Sequence, residues 1–174
     1  MNTFAKIKLI AEYEKVTYYS VNMDDNESTL FEDFVSRHTE TDLKKLNHIL
    51  VWIKSIGKNY GAQKHFFRPE ADTADASALP PQGVDRKPNY IEHGKKKSNN
   101  LRLYCLRANE SVVFLFNGDI KTEIKAQNCP NVRPHFKLAN KLTKALDEAF
   151  FNKDIVWNEY FDNIIFDKDL RIEL

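Results

Sequence analysis

Residues 101–122, LRLYCLRANESVVFLFNGDIKT, decide how this chain is read. Two runs rich in Leu, Val, Phe and Tyr flank a short polar segment, Asn109 to Ser111, so the stretch predicts two adjacent strands joined by a turn. Side chains alternate along an unbroken strand. Leu101, Leu103 and Cys105 therefore share one face, and Arg102, Tyr104 and Leu106 the other. Arg107 falls with the first set, so Arg102 and Arg107 point apart unless a bulge intervenes. Val112 to Phe116 is apolar on both faces, which places it centrally in a sheet. Arg102 on the neighbouring strand is then an arginine near the middle of a small domain. Such a group either pairs with an acid or lies in a cleft that receives an anionic ligand. Lys121 follows Gly118 at the exit of the central strand. There an ammonium can reach a phosphate or stabilise developing negative charge, with a solvated lysine as the alternative.

Upstream, Phe4 to Ile10 alternates as a half-buried strand, and the Tyr- and Val-rich Val16 to Val21 returns as a second. Asp24 to Asn26 marks a turn. Thr29 and Glu32 have capping-box spacing and predict a short helix to about His38. Thr39 and Asp42 repeat the spacing before a stripe of Leu43, Leu46, Leu50 and Ile53, with Gly57 where a C-terminal cap belongs. Residues 58–100 carry four prolines and the polar tract KKKSNN, and are read as a long, partly mobile basic loop. The portion 71–83 is expected to be mobile, whereas His65 to Arg68 is expected to be anchored by Phe66 and Phe67. Downstream, Pro134 opens a helix whose apolar stripe runs from Leu138 to Ala149. The segment 152–174 is a C-terminal extension that supplies an edge strand or packs against the body.

The composition, 42% hydrophobic and 29% charged, is that of a globular protein large enough for one core, and one domain spanning 1–174 is expected. No run approaches the roughly 18 apolar residues of a membrane span, and no N-terminal apolar core marks a signal peptide. With two cysteines outside metal spacing, Cys105 and Cys129, a cytoplasmic location with reduced thiols is expected. The net charge of +1 conceals an asymmetry. Between Glu12 and Asp42 nine acids oppose two bases, whereas between Arg86 and Arg107 seven bases oppose Glu92 alone. A basic surface flanked by acidic ones follows, or simply solvated faces. Lys95, Lys96 and Lys97 suit phosphate contacts that read no sequence, as would a solvated loop. Among the histidines, His48 reads as structural; His93 in the basic loop is an acid/base candidate, and His135 a phosphate contact. The chain has no Gly-rich phosphate loop, HExxH, GxSxG or paired-cysteine motif, so nucleotide hydrolase, zinc protease and serine hydrolase readings lack support.

The order of Leu101-Arg-Leu-Tyr, the apolar strand 112–116, Gly118, Lys121 and a closing helix resembles the RelE/HigB-type toxins of bacterial type II toxin–antitoxin modules. The resemblance spans about 41–150. It implies an α+β fold: a small antiparallel twisted sheet with N-terminal helices and a C-terminal helix, here with a long insertion loop and a C-terminal extension. It also implies a metal-independent, cofactor-free mRNA endoribonuclease, associated with the ribosome and neutralised by a cognate antitoxin protein. Arg102 matches the family's strand arginine and Lys121 the basic residue after the glycine. The candidate catalytic residues are Arg102, Lys121, Arg68, Arg107 and His93, and the candidate nucleic-acid contacts are Lys95, Lys96, Lys97, Arg86 and His135. Two alternatives share the scaffold: a non-catalytic nucleic-acid- or protein-binding module, and a ParE-like topoisomerase inhibitor.

Overall fold

The computed structural model describes residues 3–70 and 75–174. The chain opens with a hairpin of β1 (Phe4–Glu12) and β2 (Thr17–Met23). Helix α1 (Leu30–Thr41) follows, three residues longer than its spacing predicts. Its capping box is formed: Thr29 Oγ1 accepts from the Glu32 amide, and the Glu32 carboxylate accepts from the Thr29 amide, each at 3.1 Å. Helix α2 (Leu43–Ser55) starts immediately after Asp42. Gly57 does not end it. One turn of π-helix, Ile56–Tyr60, carries the chain to Gly61, which turns it at φ +75°. Gly57 is instead packed against an aromatic ring, where a Cβ would lie 2.5 Å from the Tyr13 side chain.

The segment expected to be one long loop is partly ordered by pairing. It contains β3 (Arg68–Pro69), β4 (Ser77–Leu79) and a small hairpin of β5 (Ile91–Glu92) and β6 (Lys95–Lys96). Phe66 and Phe67 are buried, as their adjacency predicts. Of the stretch expected to be mobile, 71–74 lie outside the described residues. Ser77 to Leu79 is a correction, because it pairs with the next strand. That strand, β7 (Leu101–Arg107), is antiparallel to β8 (Val112–Ile120). Helix α3 (Arg133–Phe151) comes next, with Pro134 in its first turn. A hairpin of β9 (Ile155–Trp157) and β10 (Ile164–Phe166) and the short β11 (Ile172–Glu173) complete the chain.

Seven strands form the main sheet in the order β11-β1-β2-β8-β7-β4-β3. The expectation of an antiparallel sheet is corrected at one interface: β2 and β8 run parallel, pairing Thr17 with Val112 and Tyr19 with Phe114. The reason lies in the connection, which leaves the sheet through both helices and the 58–100 segment and returns by β7. The fold is thus α+β with three helices and a mixed sheet among the described residues. The tail supplies an edge strand, β11 on β1.

Apolar alternation sorts the sheet's side chains into two layers. Tyr18, Leu101, Leu103, Cys105, Val113 and Leu115 pack under α1 and α2 with Phe34, Leu46, Ile49 and Trp52. Tyr19, Tyr104, Leu106, Phe114 and Phe116 pack under α3 with Phe136, Leu142 and Leu146. Burial of two faces of one sheet, at roughly 25 cal/mol per Å² of apolar surface, is the main favourable term. Among the described residues no helix is long and apolar enough to cross a membrane.

Candidate functional site

Three groups of polar side chains lie along one rim of this sheet, at the carboxyl end of β8 and the amino end of β7, where Arg102 lies opposite Asp119. Between Leu103 and Cys105 the register slips, so that β8 carries one extra residue against β7. The bulge brings the two backbones together at Gly118, where a Cβ would sit 1.7 Å from the Arg102 carbonyl oxygen. The glycine that the sequence places before Lys121 is thus demanded by a close approach. The alternation of β7 itself is unbroken, and Arg107 points to the opposite face from Arg102.

The first group on the rim surrounds Glu70, whose side chain is wholly buried. Arg102 Nε donates to Glu70 Oε1 at 3.1 Å, and its Nη1 donates to the carbonyls of Asn99 at 2.6 Å and Leu101 at 3.2 Å. Lys121 Nζ donates to Glu70 Oε2. Of the two fates open to a central arginine, pairing with an acid is therefore the one realised. Burial lowers the pKa of Arg102, and Glu70 opposes that shift. Lys121 keeps 13% of its side chain exposed, so the cluster opens to solvent on the lysine side.

The second group stands at the fork where parallel β2 and β8 part. Arg37, on α1, spans it: Nε donates to Asp33 at 2.9 Å, Nη1 to Asp119 at 3.2 Å, and Nη2 to the Gly118 carbonyl at 2.9 Å and to Asn117 Oδ1. The Asn117 amide donates to Asp33 at 2.8 Å. Burial raises the pKa of Asp33, but the Asn117 amide and Arg37 outweigh it and the net shift is downward. His135, at the start of α3, is half-buried; burial first and then the Arg37 charge lower its pKa, so its imidazole is neutral at pH 7. A crevice beyond the carboxyl ends of parallel strands is where open sheets commonly bind ligands.

The third group lines a narrow pocket between α2 and the 58–100 segment, whose walls include His48, Trp52, Arg68, Pro80, Arg86 and Lys97. His48 Nε2 donates to the Pro88 carbonyl and its Nδ1 accepts from the Asn99 amide, both at 3.0 Å. Its ring is therefore a fixed neutral wall, in keeping with a structural role. Arg86 donates to the His65 carbonyl at 2.9 Å and lies over the Phe66 ring, 5.2 Å from its centroid. Arg68 has one partner, the Pro81 carbonyl at 3.3 Å, and its Nε is buried with no hydrogen bond among the described residues.

Of the sequence candidates, Arg102, Lys121, Arg68, Arg86, Lys97 and His135 belong to these three groups. The remainder do not. Arg107 sits five residues along β7, roughly 17 Å away at strand rise, and donates to the Ala62 carbonyl. His93 is exposed at φ +52° in the β5–β6 turn, 3.7 Å from Glu92. Lys95 and Lys96 are exposed on β6, with Lys96 3.6 Å from Asp85. Glu70, Asp33, Arg37, Asn117 and Asp119 were not singled out from sequence. The one signal for any of them was the i,i+4 spacing of Asp33 and Arg37 on a helix. No three His, Cys, Asp or Glu side chains among the described residues are placed to hold a metal ion. Comparison with protein-family models, with curated proteins and with solved structures finds no match to this chain.

Proposed function

We propose that the chain is an endoribonuclease of the RelE/HigB toxin type, binding RNA across this rim and cleaving it with its own side chains. The observation that carries the reading is the company of three groups along the end of β8: a half-buried imidazole neutral at pH 7, the Arg37 guanidinium and the part-exposed Lys121 ammonium. In such a reaction the ribose 2′-oxygen attacks the adjacent phosphorus, and the bond to the 5′-oxygen breaks. His135 takes the 2′-hydroxyl proton, the departing 5′-oxygen takes a proton from water, and a 2′,3′-cyclic phosphate and a 5′-hydroxyl result, with the His135 proton then returned to the hydroxide left behind. Arg37 and Lys121 hold the phosphoryl oxygens as charge builds on them. Glu70 anchors Lys121 and Arg102 so that only Lys121 faces the strand. The messenger RNA, presented by the ribosome, is the substrate, and a cognate antitoxin is the partner that would cover the rim.

A second reading, a binding module without cleavage, is favoured by one observation: Glu70 occupies both cations that match the toxin motif. Controlled expression in a bacterial host, with growth and transcript integrity followed together, separates the two. Rapid arrest with transcripts cut inside coding regions is expected, and arrest should vanish in an Arg37→Ala, His135→Ala double variant that still folds. Normal growth with intact transcripts would overturn the nuclease reading. RNA retained by the purified chain without cleavage would leave the binding module.

A further inference from the structure

Arg68 differs from Arg102, Lys121 and Arg37, the cations drawn into carboxylate pairs on this side of the protein. Arg102 and Lys121 share Glu70, and Arg37 lies between Asp33 and Asp119. Arg68 is half-buried and meets no carboxylate within ion-pair distance among the described residues. Its single acceptor is a backbone carbonyl, and one of its donor groups is out of reach of solvent and unpaired. Burial, and next the like charge of Arg102, press its pKa down to about 10, still far above neutrality. A guanidinium held charged and short of acceptors is an incomplete arrangement: the sealed Nε costs free energy, and Nη1, with no hydrogen bond among the described residues and not sealed, is the donor a ligand oxygen can reach.

The walls around it repeat the same sign. Arg86 uses backbone carbonyls and an aromatic face as partners, and none of its partners is an acid. Lys97 is exposed at the mouth and forms no ion pair among the described residues. Of the nearby acids among the described residues, Asp85 pairs with Lys96 and Glu70 with Arg102 and Lys121, while Glu92 accepts from the Tyr90 hydroxyl and draws on Lys97. His48 is locked neutral by Pro88 and Asn99, so it lines the pocket without repelling a bound anion or competing for it. The pocket is narrow and walled by prolines, which excludes a nucleobase and leaves a bound oxyanion only partly enclosed. Two guanidiniums and an ammonium lining one small pocket are the donor types that hold a phosphate group.

We infer that the pocket of Arg68, Arg86 and Lys97 is a binding site for a single phosphate group, separate from the Arg37–His135 group on the rim. As the seat of one phosphate of a bound strand, it rests on the RNA reading above; as an oxyanion pocket, it does not. In the strand case it fixes the register of RNA relative to the cleavage centre, and the 58–100 segment is the element that builds it.

Inorganic phosphate is titrated into the full chain at constant ionic strength, with chloride as the exchanged anion, while arginine side-chain and backbone amide resonances are followed. The expected result is saturable movement of the Arg68 Nε–H signal and of amides near His48 and Tyr90. Arg68→Gln should weaken the response by about tenfold or more, and Arg86→Gln by less. Movement that never saturates, or that survives Arg68→Gln in a folded variant, would overturn the inference. A short uridine oligonucleotide then distinguishes the sources. Displacement of phosphate by the oligonucleotide assigns the site to a strand. Saturation by phosphate with no oligonucleotide binding assigns it to a free phosphate compound, and sinks the RNA reading instead. An oligonucleotide that is bound and cut while the pocket resonances stay still under both probes leaves the nuclease reading standing and removes the pocket.

Discussion

Arg102 and Arg68 stand on the same side of the sheet, two strands apart, and both are drawn out of solvent near Glu70. Among the described residues Arg102 has a carboxylate and two carbonyls as acceptors, and Arg68 has one carbonyl. The difference separates scaffold from site. A cation both met and sealed from solvent, as Arg102 is, holds the rim together and has little left to offer a ligand, whereas Arg37 and Lys121 keep 35% and 13% of their side chains exposed despite their acid partners. A cation left short of acceptors stays poised for one. The residue that best matches the toxin motif, Arg102, is by this measure the scaffold member. The residue with the unmet donor lies in the segment that the motif does not cover.

The sharpest way to break the comparison is to remove Glu70. Glu70→Ala strands Arg102 in a buried position and frees Lys121. Loss of one partner of a buried pair costs about 3–5 kcal/mol, read as a lower urea midpoint with unchanged slope. A loss below about 1 kcal/mol would mean that Arg102 does not depend on its acid, and the division between the two arginines would fall. The same logic bears on a double alanine substitution at Arg102 and Lys121. It leaves Glu70 buried and unpaired, so it tests stability before it tests activity.

Protonation probes the arginine pocket more gently. His48 stands beside it and His135 on the rim, and burial is the leading cause of a lowered pKa in both. The unfolded chain titrates near 6.5, so below that pH it binds protons that the folded chain resists. Stability is therefore fully present above about pH 6.5 and falls as the pH drops toward the folded values. For His48 the structural reason is explicit: a proton on Nδ1 would end the hydrogen bond it accepts from Asn99. Urea midpoints should fall between about pH 7.5 and pH 5.5, and His48→Gln should flatten that dependence. A slope unchanged by His48→Gln would show that the pocket wall is not proton-sensitive.

What the sequence made legible was local. The capping box at Thr29, the alternation in 101–106, the buried strand 112–116 and Pro134 in a helix's first turn each depend on neighbours a few residues away. All are seen in the fold. The parallel pairing of β2 with β8 depends on where a long excursion returns, and no local pattern encodes that. The site divides the same way. Basic residues could be picked out by type, and six of the ten candidates belong to the three polar groups. Their partners could not be identified, because Glu70 is 32 residues from Arg102 and Asp119 is 82 from Arg37. Whether an arginine is scaffold or site depends on those distant acids, so that distinction appeared only in three dimensions.

The smallest expected effect on stability is also the most discriminating. Arg68→Met keeps the apolar stem against the proline walls and removes the guanidinium. Since no carboxylate among the described residues is within ion-pair distance of Arg68, the losses are a 3.3 Å bond to the Pro81 carbonyl and a longer-range attraction to Glu70, and relief of an unmet buried donor and of the like charge of Arg102 offsets them. The urea stability should stay within about 1 kcal/mol of the native chain or rise slightly, opposite in sense to Glu70→Ala. Phosphate should meanwhile raise the melting temperature of the native chain and leave that of the variant unmoved, since only a folded state that binds the ion gains from it. If Arg68→Met were as costly as Glu70→Ala, Arg68 would belong to the Glu70 network. The rim would then hold one buried ionic cluster of three cations, and the contrast between met and unmet arginines would no longer exist.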